Sequence, residues 1–250
     1  MVRRSSTPPA SITRPPSNQL LAALPPADYA RLASALEIIP LKLKGPIHKP
    51  DESVEHVYFP GGGFCSVLTV LKDGSMVEVA TIGREGMVGL SAMMNGHNPS
   101  PSLAMVQGET DTCYRMPVDV FRSEMERRGA FYELLTRYAQ ALLGVIMQST
   151  ACNAVHTVEQ RLARWLLMAH DRMGTDAFLL TQEFVAMMLG VARPTVTVVA
   201  GTLQKARLIT YHRGTVTIVD RKKLEAGSCE CYRTCTDLLD SVTSGRKKSR

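Results

Sequence analysis

Apolar residues recur along this chain at two different spacings, and the changes between them mark its elements. From Leu41 to Pro117 they come in short runs, Val54–Phe59, Phe64–Leu71 and Met76–Ile82, separated by Pro60-Gly61-Gly62-Gly63 and Lys72-Asp73-Gly74-Ser75. Runs of this length around an Asp-Gly turn predict antiparallel hairpins, and several in succession predict an all-β roll or sandwich. Ahead of them, Leu20, Leu21 and Leu24, then Tyr29, Leu32 and Leu36, stand at helical spacing on either side of Pro25-Pro26. Two short helices covering the side of the strand domain fit that pattern. Beyond the strands the helical period returns between Asp119 and Asn153. There Phe131, Leu135, Tyr138, Leu142, Val145, Ser149 and Cys152 are spaced 4, 3, 4, 3, 4 and 3 residues apart. That is the seam of a two-stranded coiled coil, so a parallel homodimer is expected. The same spacing also suits a helix packed on its own strand domain. Leu134, Ala141 and Ile146, off the seam, are free to make that contact, and the two arrangements are compatible.

The next pattern is the most informative. Val158 to Met173 is amphipathic, with Leu162, Trp165, Leu166 and Ala169 on one face. Thr181 then stands where it would cap a helix whose inward residues are Phe184, Val185, Met188 and Leu189. Gly190 supplies the positive φ of a short turn between crossed helices. Pro194 suits the first turn of a following helix, where a missing N–H costs nothing. On that helix Val196, Val199, Ala200 and Leu203 face inward, leaving Arg193, Thr195, Thr197 and Val198 near its exposed start. Leu208–His212 and Thr215–Val219 around Arg213-Gly214 read as a β-hairpin. Cap, turn glycine, second helix and hairpin in this order make a winged helix-turn-helix, whose second helix enters a DNA major groove.

The segment from Val155 to Ala226 resembles the DNA-binding domain of the Crp/Fnr family of bacterial transcription regulators. The residues that carry the resemblance are Gln160-Arg161-Leu162-Ala163-Arg164-Trp165-Leu166-Leu167, Leu180-Thr181-Gln182, Gly190-Val191-Ala192-Arg193, Leu203 and Leu208-Ile209. The resemblance implies an α+β chain: an N-terminal double-stranded β-roll of the cyclic-nucleotide-binding type, a long dimerisation helix and a C-terminal winged helix-turn-helix. Its expected divisions are a disordered tail over 1–17, a β-roll over 18–118, the dimer helix over 119–153, the DNA-binding domain over 154–226 and a Cys-containing basic tail over 227–250. It also implies homodimers on near-palindromic double-stranded DNA, with RNA polymerase as a further partner. Arg193 is then the candidate for a bidentate guanine contact, and Thr195, Thr197 and Val198 for base edges or thymine methyls. Thr181, Gln182, His212 and Arg213 are the candidates for phosphates. Pro194 stands where the family often has a glutamate that reads cytosine, and Val198 where it often has an arginine. The family's familiar operator therefore does not carry over.

Gly83-Arg84-Glu85-Gly86-Met87-Val88-Gly89 occupies the place of the family's phosphate-binding cassette, and the ligand-pocket candidates are Gly83, Arg84, Glu85, Gly86 and Gly89. The glutamate that takes the ribose hydroxyl should follow the last glycine, where Leu90 stands instead. The phosphate arginine should fall near Ser102, and no Lys or Arg occurs between Arg84 and Tyr114. Cyclic AMP or cyclic GMP bound in the usual mode is therefore not expected, and these glycines serve equally well as turn formers.

Charge and cysteine usage refine this picture. Over 154–226, ten Lys/Arg against six Asp/Glu leave a net +4, an excess that suits a polyanion. No apolar run approaches the ~18 residues of a membrane span, and the N-terminal stretch has no signal-peptide core, so a cytoplasmic protein is expected. Four prolines before residue 17 argue against a transit-peptide helix. Six cysteines in such a chain are expected as reduced thiols, with Cys65 and Cys113 as buried small hydrophobes. Cys229, Cys231 and Cys235 have the density of a soft-metal or redox group. Four-ligand zinc needs a further donor, and the sequence shows no second Cys pair or neighbouring His to supply it. His156 and His170 lack ligand-like companions, and capping or surface roles are assigned to them. No metal and no cofactor is therefore expected. No nucleophile–base pair, metal set or phosphate loop of an enzyme is visible either. The alternative to a DNA-binding regulator is a small-molecule or redox sensor acting mainly through protein contacts.

Overall fold

The computed structural model describes residues 15–94 and 102–244. Two short helices, α1 (Gln19–Ala22) and α2 (Pro26–Ala33), break at the prolines as expected. Asn18 caps α1 through its side-chain oxygen, while its amide donates to the carbonyls of Pro60 and Gly86 at 2.9 Å. That buried amide fixes the N-terminal segment across the turns of the strand domain.

The strands are β1 (Glu37–Leu41), β2 (Pro46–His48), β3 (His56–Pro60), β4 (Phe64–Val70), β5 (Met76–Ile82), β6 (Ser102–Gly108) and β7 (Thr110–Pro117). They form two antiparallel sheets, β1-β7-β3 and β2-β6-β4-β5. Leu41, Cys65, Ile82, Val88, Ala104, Val106 and Cys113 fill one of the cores of this domain. Cys65 and Cys113 are thus the buried small hydrophobes expected of them, and burial pushes the Cys113 thiol up to about 12. This arrangement is the double-stranded β-roll.

Helix α3 (Val118–Glu126) leads to α4 (Ala130–Val155), a 26-residue helix that by its rise spans roughly 39 Å. The face expected to form the dimer seam is turned inward. Phe131, Leu135, Tyr138 and Val145 are at most 2% exposed. Phe131 packs against Phe59 and Phe121, and the Tyr138 hydroxyl donates to the Met87 carbonyl at 3.3 Å. Leu142 and Cys152 are also buried and Ser149 half-buried, so this face is already largely covered within the chain and is not the open seam that was expected. The correction has a simple cause. A 3–4 spacing specifies an apolar face without naming its partner, and here the chain's own β-roll and C-terminal segment take it: Phe131, Leu135 and Tyr138 pack on the roll, and Cys152 is buried with Cys229 and Cys231.

The C-terminal unit follows in order: α5 (Val158–Met173), β8 (Ala177–Leu179), α6 (Gln182–Leu189), α7 (Arg193–Lys205), β9 (Ile209–His212), β10 (Thr215–Ile218) and α8 (Arg221–Ala226). Thr157 and Gln160 form a capping box that starts α5, and Gly174 at φ +67° ends it. A further helix, α9 (Cys231–Ser244), packs along α4. The expectation of a tail over 227–250 fails for this stretch. Cys231, Tyr232, Cys235, Leu239 and Val242 form a buried face on α9, which makes a helix worth folding. Residues 245–250, like residues 1–14 of the expected N-terminal tail, lie outside the described residues.

Candidate nucleic-acid interface

The interface is built from α6, α7 and the β9–β10 hairpin. The Thr181 hydroxyl accepts the Phe184 N–H at 3.2 Å, satisfying one of the free donors at the start of α6. Gly190 closes that helix at φ +62°, where a Cβ would be strained, and the chain turns through 105° into α7. Val185, Met188 and Leu189 of α6 meet Val196, Ala200 and Leu203 of α7 in one core, with Leu162, Trp165, Leu166 and Ala169 of α5 behind them. Pro194 sits in the first turn of α7, where it removes no intrahelical bond.

With that side of α7 buried, its other side is open to solvent. Arg193, Pro194, Thr197 and Val198 are exposed, and Val198 is 70% accessible although apolar. Thr195 is half-buried beside them. Gln182 is drawn into the group because Thr197 donates to its side-chain oxygen at 2.8 Å. The hairpin turns through Arg213 and Gly214, both at positive φ, and pairs Thr215 with His212 in the two-residue turn that suits the strand twist. His212 and Arg213 are exposed at its tip. The nine residues singled out from the sequence thus stand on α7, at the start of α6 and at the wing tip. β8 joins the hairpin as a third strand, in the order β8-β10-β9.

Two positioning contacts escaped the sequence reading. Gln204 on α7 accepts the Tyr211 N–H at 2.9 Å, and the Tyr211 hydroxyl donates to the Leu180 carbonyl at 2.6 Å. Together they fasten wing, recognition helix and the entry to α6; burial pushes the Tyr211 phenol up to about 12. The charge excess also needs redistribution. Arg161, Arg164 and Arg172 are buried, and Arg221 is paired with Asp171 at 2.6 Å. The outward positive charge of the unit comes from Arg193, Lys205, Arg207, Arg213, Lys222 and Lys223.

Arg172 and Trp165 reach the β-roll instead. Arg172 pairs with Glu85 at 2.7 Å, and Glu85 also accepts the Gly83 N–H at 3.0 Å. Trp165 donates to Glu78 at 2.8 Å, and Ser66 donates to the same carboxylate. Burial pushes Glu78 up to about 7 despite those two donors. Around the cassette, Gly83, Gly86, Met87, Val88 and Gly89 are buried and Arg84 is exposed. A Cβ on Gly83 would meet the Arg172 side chain at 2.7 Å, and one on Gly86 would strike the Tyr138 ring. The cassette glycines therefore give room to α4 and α5, and Glu85 is occupied by an arginine of the same chain.

Of His156 and His170, His170 is half-buried, held between Asp176 at 2.8 Å and the Arg221 guanidinium at 2.7 Å, and has no cysteine near it among the described residues. His156 does not stand apart from the cysteines: its Nδ1 lies 3.6 Å from Cys231 Sγ.

Residues 160–226 match the family of the Crp-like helix-turn-helix domain. A Crp/Fnr-family regulator structure from Eubacterium rectale superposes with a TM-score of 0.61 at 21% identity, over 86% of this chain and 97% of that one. FixK2 of Bradyrhizobium japonicum gives 0.59 at 17% identity, over 78% and 98%. CLP of Xanthomonas campestris, a cyclic-di-GMP-responsive global regulator, gives 0.62 at 13% identity, over 77% and 98%. No curated protein sequence matches the chain.

Proposed function

We propose that this chain, which carries a Crp-like helix-turn-helix domain on the Crp/Fnr fold, is a sequence-specific DNA-binding transcription regulator. The observation that carries the reading is α7. Its inner face is locked in the core, while Arg193, Pro194, Thr197 and Val198 are held in solvent beside a basic wing tip. Arg193 has the reach and fork geometry for a guanine. Val198 and Pro194 offer only apolar surface, so discrimination around them comes from thymine methyls and DNA shape. Such a regulator works in the cytoplasm, with RNA polymerase as its downstream partner.

The functional unit is a homodimer placing two copies of α7 in major grooves about one turn apart, ~34 Å. Since the expected seam is buried, the dimer contact moves to the opposite side of α4. There Leu143 is 58% and Met147 64% exposed, in line with Tyr132, Thr136, Ala139 and Thr150. Two large exposed apolar side chains on consecutive turns are covered by a symmetric copy of themselves.

The effector pocket lacks the usual ribose and phosphate ligands. Leu90 replaces the glutamate, and Glu85 is spent on Arg172. A cyclic phosphate brought there would lose water without a charge-assisted partner, at a cost of several kcal/mol. Calorimetry with cyclic AMP or cyclic GMP at ~100 µM should show no heat of binding, although a micromolar site would be nearly saturated. The DNA reading is tested by selecting a site from random duplexes and titrating binding against salt. Arg193→Ala should cost ~1–3 kcal/mol per half-site and relax preference at one base pair. An equal loss on every sequence would make Arg193 a phosphate contact, and no selected site at all would remove the regulator.

A further inference from the structure

Three cysteines outside the β-roll core converge on one point. Cys152 lies on the last turn of α4, His156 caps that helix, and Cys229 and Cys231 stand at the entry to α9. Their three sulfurs and one imidazole nitrogen all lie within 4.8 Å of one another. Cys152 Sγ is 3.5 Å from Cys229 Sγ, and His156 Nδ1 is 3.6 Å from Cys231 Sγ. All three thiols are buried. A tetrahedral zinc with bonds of ~2.3 Å to sulfur and ~2.0 Å to nitrogen has ligand–ligand edges of about 3.5–3.8 Å. Both measured edges have that length. The donors are too close together to frame an iron–sulphur cluster, whose irons and sulfides would have to stand between them.

The surroundings suit a cation as well. His156 Nε2 lies 3.2 Å from a Glu230 carboxylate oxygen, a contact that puts the ring proton on Nε2 and turns the Nδ1 lone pair toward the sulfurs. Gln148 donates to Cys231 Sγ at 3.0 Å, a bond that strengthens when the sulfur is a thiolate. Arg161 and Arg164 are buried within electrostatic reach of Cys152. Their Nε atoms have no hydrogen-bond partner, while Arg161 donates through Nη2 to the Leu189 carbonyl and Arg164 through Nη1 to the Ser149 hydroxyl. Three thiolates around one divalent ion carry a net single negative charge, opposite in sign to the buried guanidiniums beside it.

We propose that Cys152, His156, Cys229 and Cys231 bind one zinc ion in a closed Cys3His site. Binding sends the three thiol protons to solvent and forms three zinc–sulfur bonds and one zinc–nitrogen bond. With four protein ligands the site has no open position, so its role is structural. The ion ties the end of α4 to the start of α9 at the point where the chain enters α5. It therefore fixes the junction between the β-roll helices and the helix-turn-helix unit.

The test uses the full chain and reads metal directly, so it does not depend on DNA binding. Protein purified from zinc-supplemented cells should contain about one zinc per chain by mass spectrometry of the elements. After zinc is removed under reducing conditions, Co2+ should give the visible bands of a tetrahedral site together with thiolate-to-cobalt charge transfer. Cys229→Ser and His156→Ala should each lose most of the zinc. Cys235→Ser, a buried thiol of α9 outside the group, should keep it. If Cys229→Ser fails to fold, the cobalt spectrum of the wild-type chain decides alone. Wild-type protein that takes up neither zinc nor cobalt would overturn the site, as would zinc retained unchanged in folded Cys229→Ser. A Cys152–Cys229 disulfide found by peptide mapping in metal-free protein as isolated would do the same.

Discussion

Helices α7 and α4 are both amphipathic, and they meet their surroundings in opposite ways. α7 has one buried line, Val196, Ala200 and Leu203, flanked by half-buried Thr195 and Val199, and gives Arg193, Pro194, Thr197 and Val198 to solvent. α4 is apolar on several sides. It sets Phe131, Leu135, Tyr138 and Val145 into the β-roll, and holds Gly144 against Leu238 of α9 at a spacing that leaves room for no larger residue without a shift. Leu143 and Met147 remain outside. On α7 a single apolar side chain, Val198, stands among the exposed polar residues and Pro194 of its first turns, a mixture suited to reading base edges and thymine methyls. A helix with large apolar residues left on a further face, like α4, has not completed its packing within the chain. In the proposed regulator, recognition and assembly would thus fall on different helices.

The sharpest way to break this comparison is to place the same charge on two neighbouring positions of α4. Val145→Glu buries a carboxylate in a core with no partner and should destabilise the fold by about 4 kcal/mol, read from urea unfolding. Leu143→Glu puts the charge in solvent in the single chain, so unfolding of the monomer should change by less than about 0.5 kcal/mol. In sedimentation, however, it should convert dimers to monomers. If Val145→Glu dissociates a dimer while leaving the chain folded, the seam is the inward face after all and Leu143 is an ordinary surface leucine.

That pair of positions also shows how much could be read from the chain. Thr181, Gly190 and Pro194 act on neighbours within a few residues, so cap, turn and first helical turn were legible locally. The face of α4 was equally legible as a face; its partner was not, because both a second helix and a sheet accept the same spacing. Arg161, Arg164 and Arg172 looked like surface charge because helical period alone cannot show that α5 is enclosed on several sides. The Cys–His group was invisible for a related reason. Its ligands are separated by as many as 79 positions, Cys152 to Cys231, and meet only because α9 folds back along α4. A tail rich in cysteine and base gave no sign of that return, although the buried line Tyr232, Cys235, Leu239 and Val242 was present to be counted.

A medium effect should appear where the two domains touch. Glu78 lies between Ser66 and Trp165, and burial raises its carboxyl to about 7 from an ordinary 4.5. The folded state therefore holds this proton more tightly than the unfolded chain. The resulting stability is fully present below pH 4.5 and is lost as pH rises through 7. Glu78→Gln keeps an acceptor for Trp165 and never ionises. At pH 8 it should be more stable than the wild-type chain by roughly 2–3 kcal/mol, the difference closing toward pH 4. Urea midpoints across that range decide the matter; parallel profiles for the two proteins would mean that Glu78 is already solvated when folded.

The smallest effect concerns Thr181, which has two duties at the open end of the comparison. Its hydroxyl oxygen accepts the Phe184 N–H, and its hydroxyl hydrogen remains able to donate outward to a DNA phosphate. Thr181→Ala removes both and should lower stability by about 1 kcal/mol, the usual worth of such a cap. Thr181→Asp separates them. A carboxylate caps a helix as well as a hydroxyl does and favours the positive end of its dipole, so unfolding should match the wild-type chain or exceed it slightly. Facing a phosphate, however, the same carboxylate offers no donor and adds a like charge, so DNA affinity should fall below that of Thr181→Ala and fall most at low salt. An aspartate variant that binds DNA as tightly as the alanine variant would put the phosphate backbone elsewhere and leave Thr181 with its cap alone.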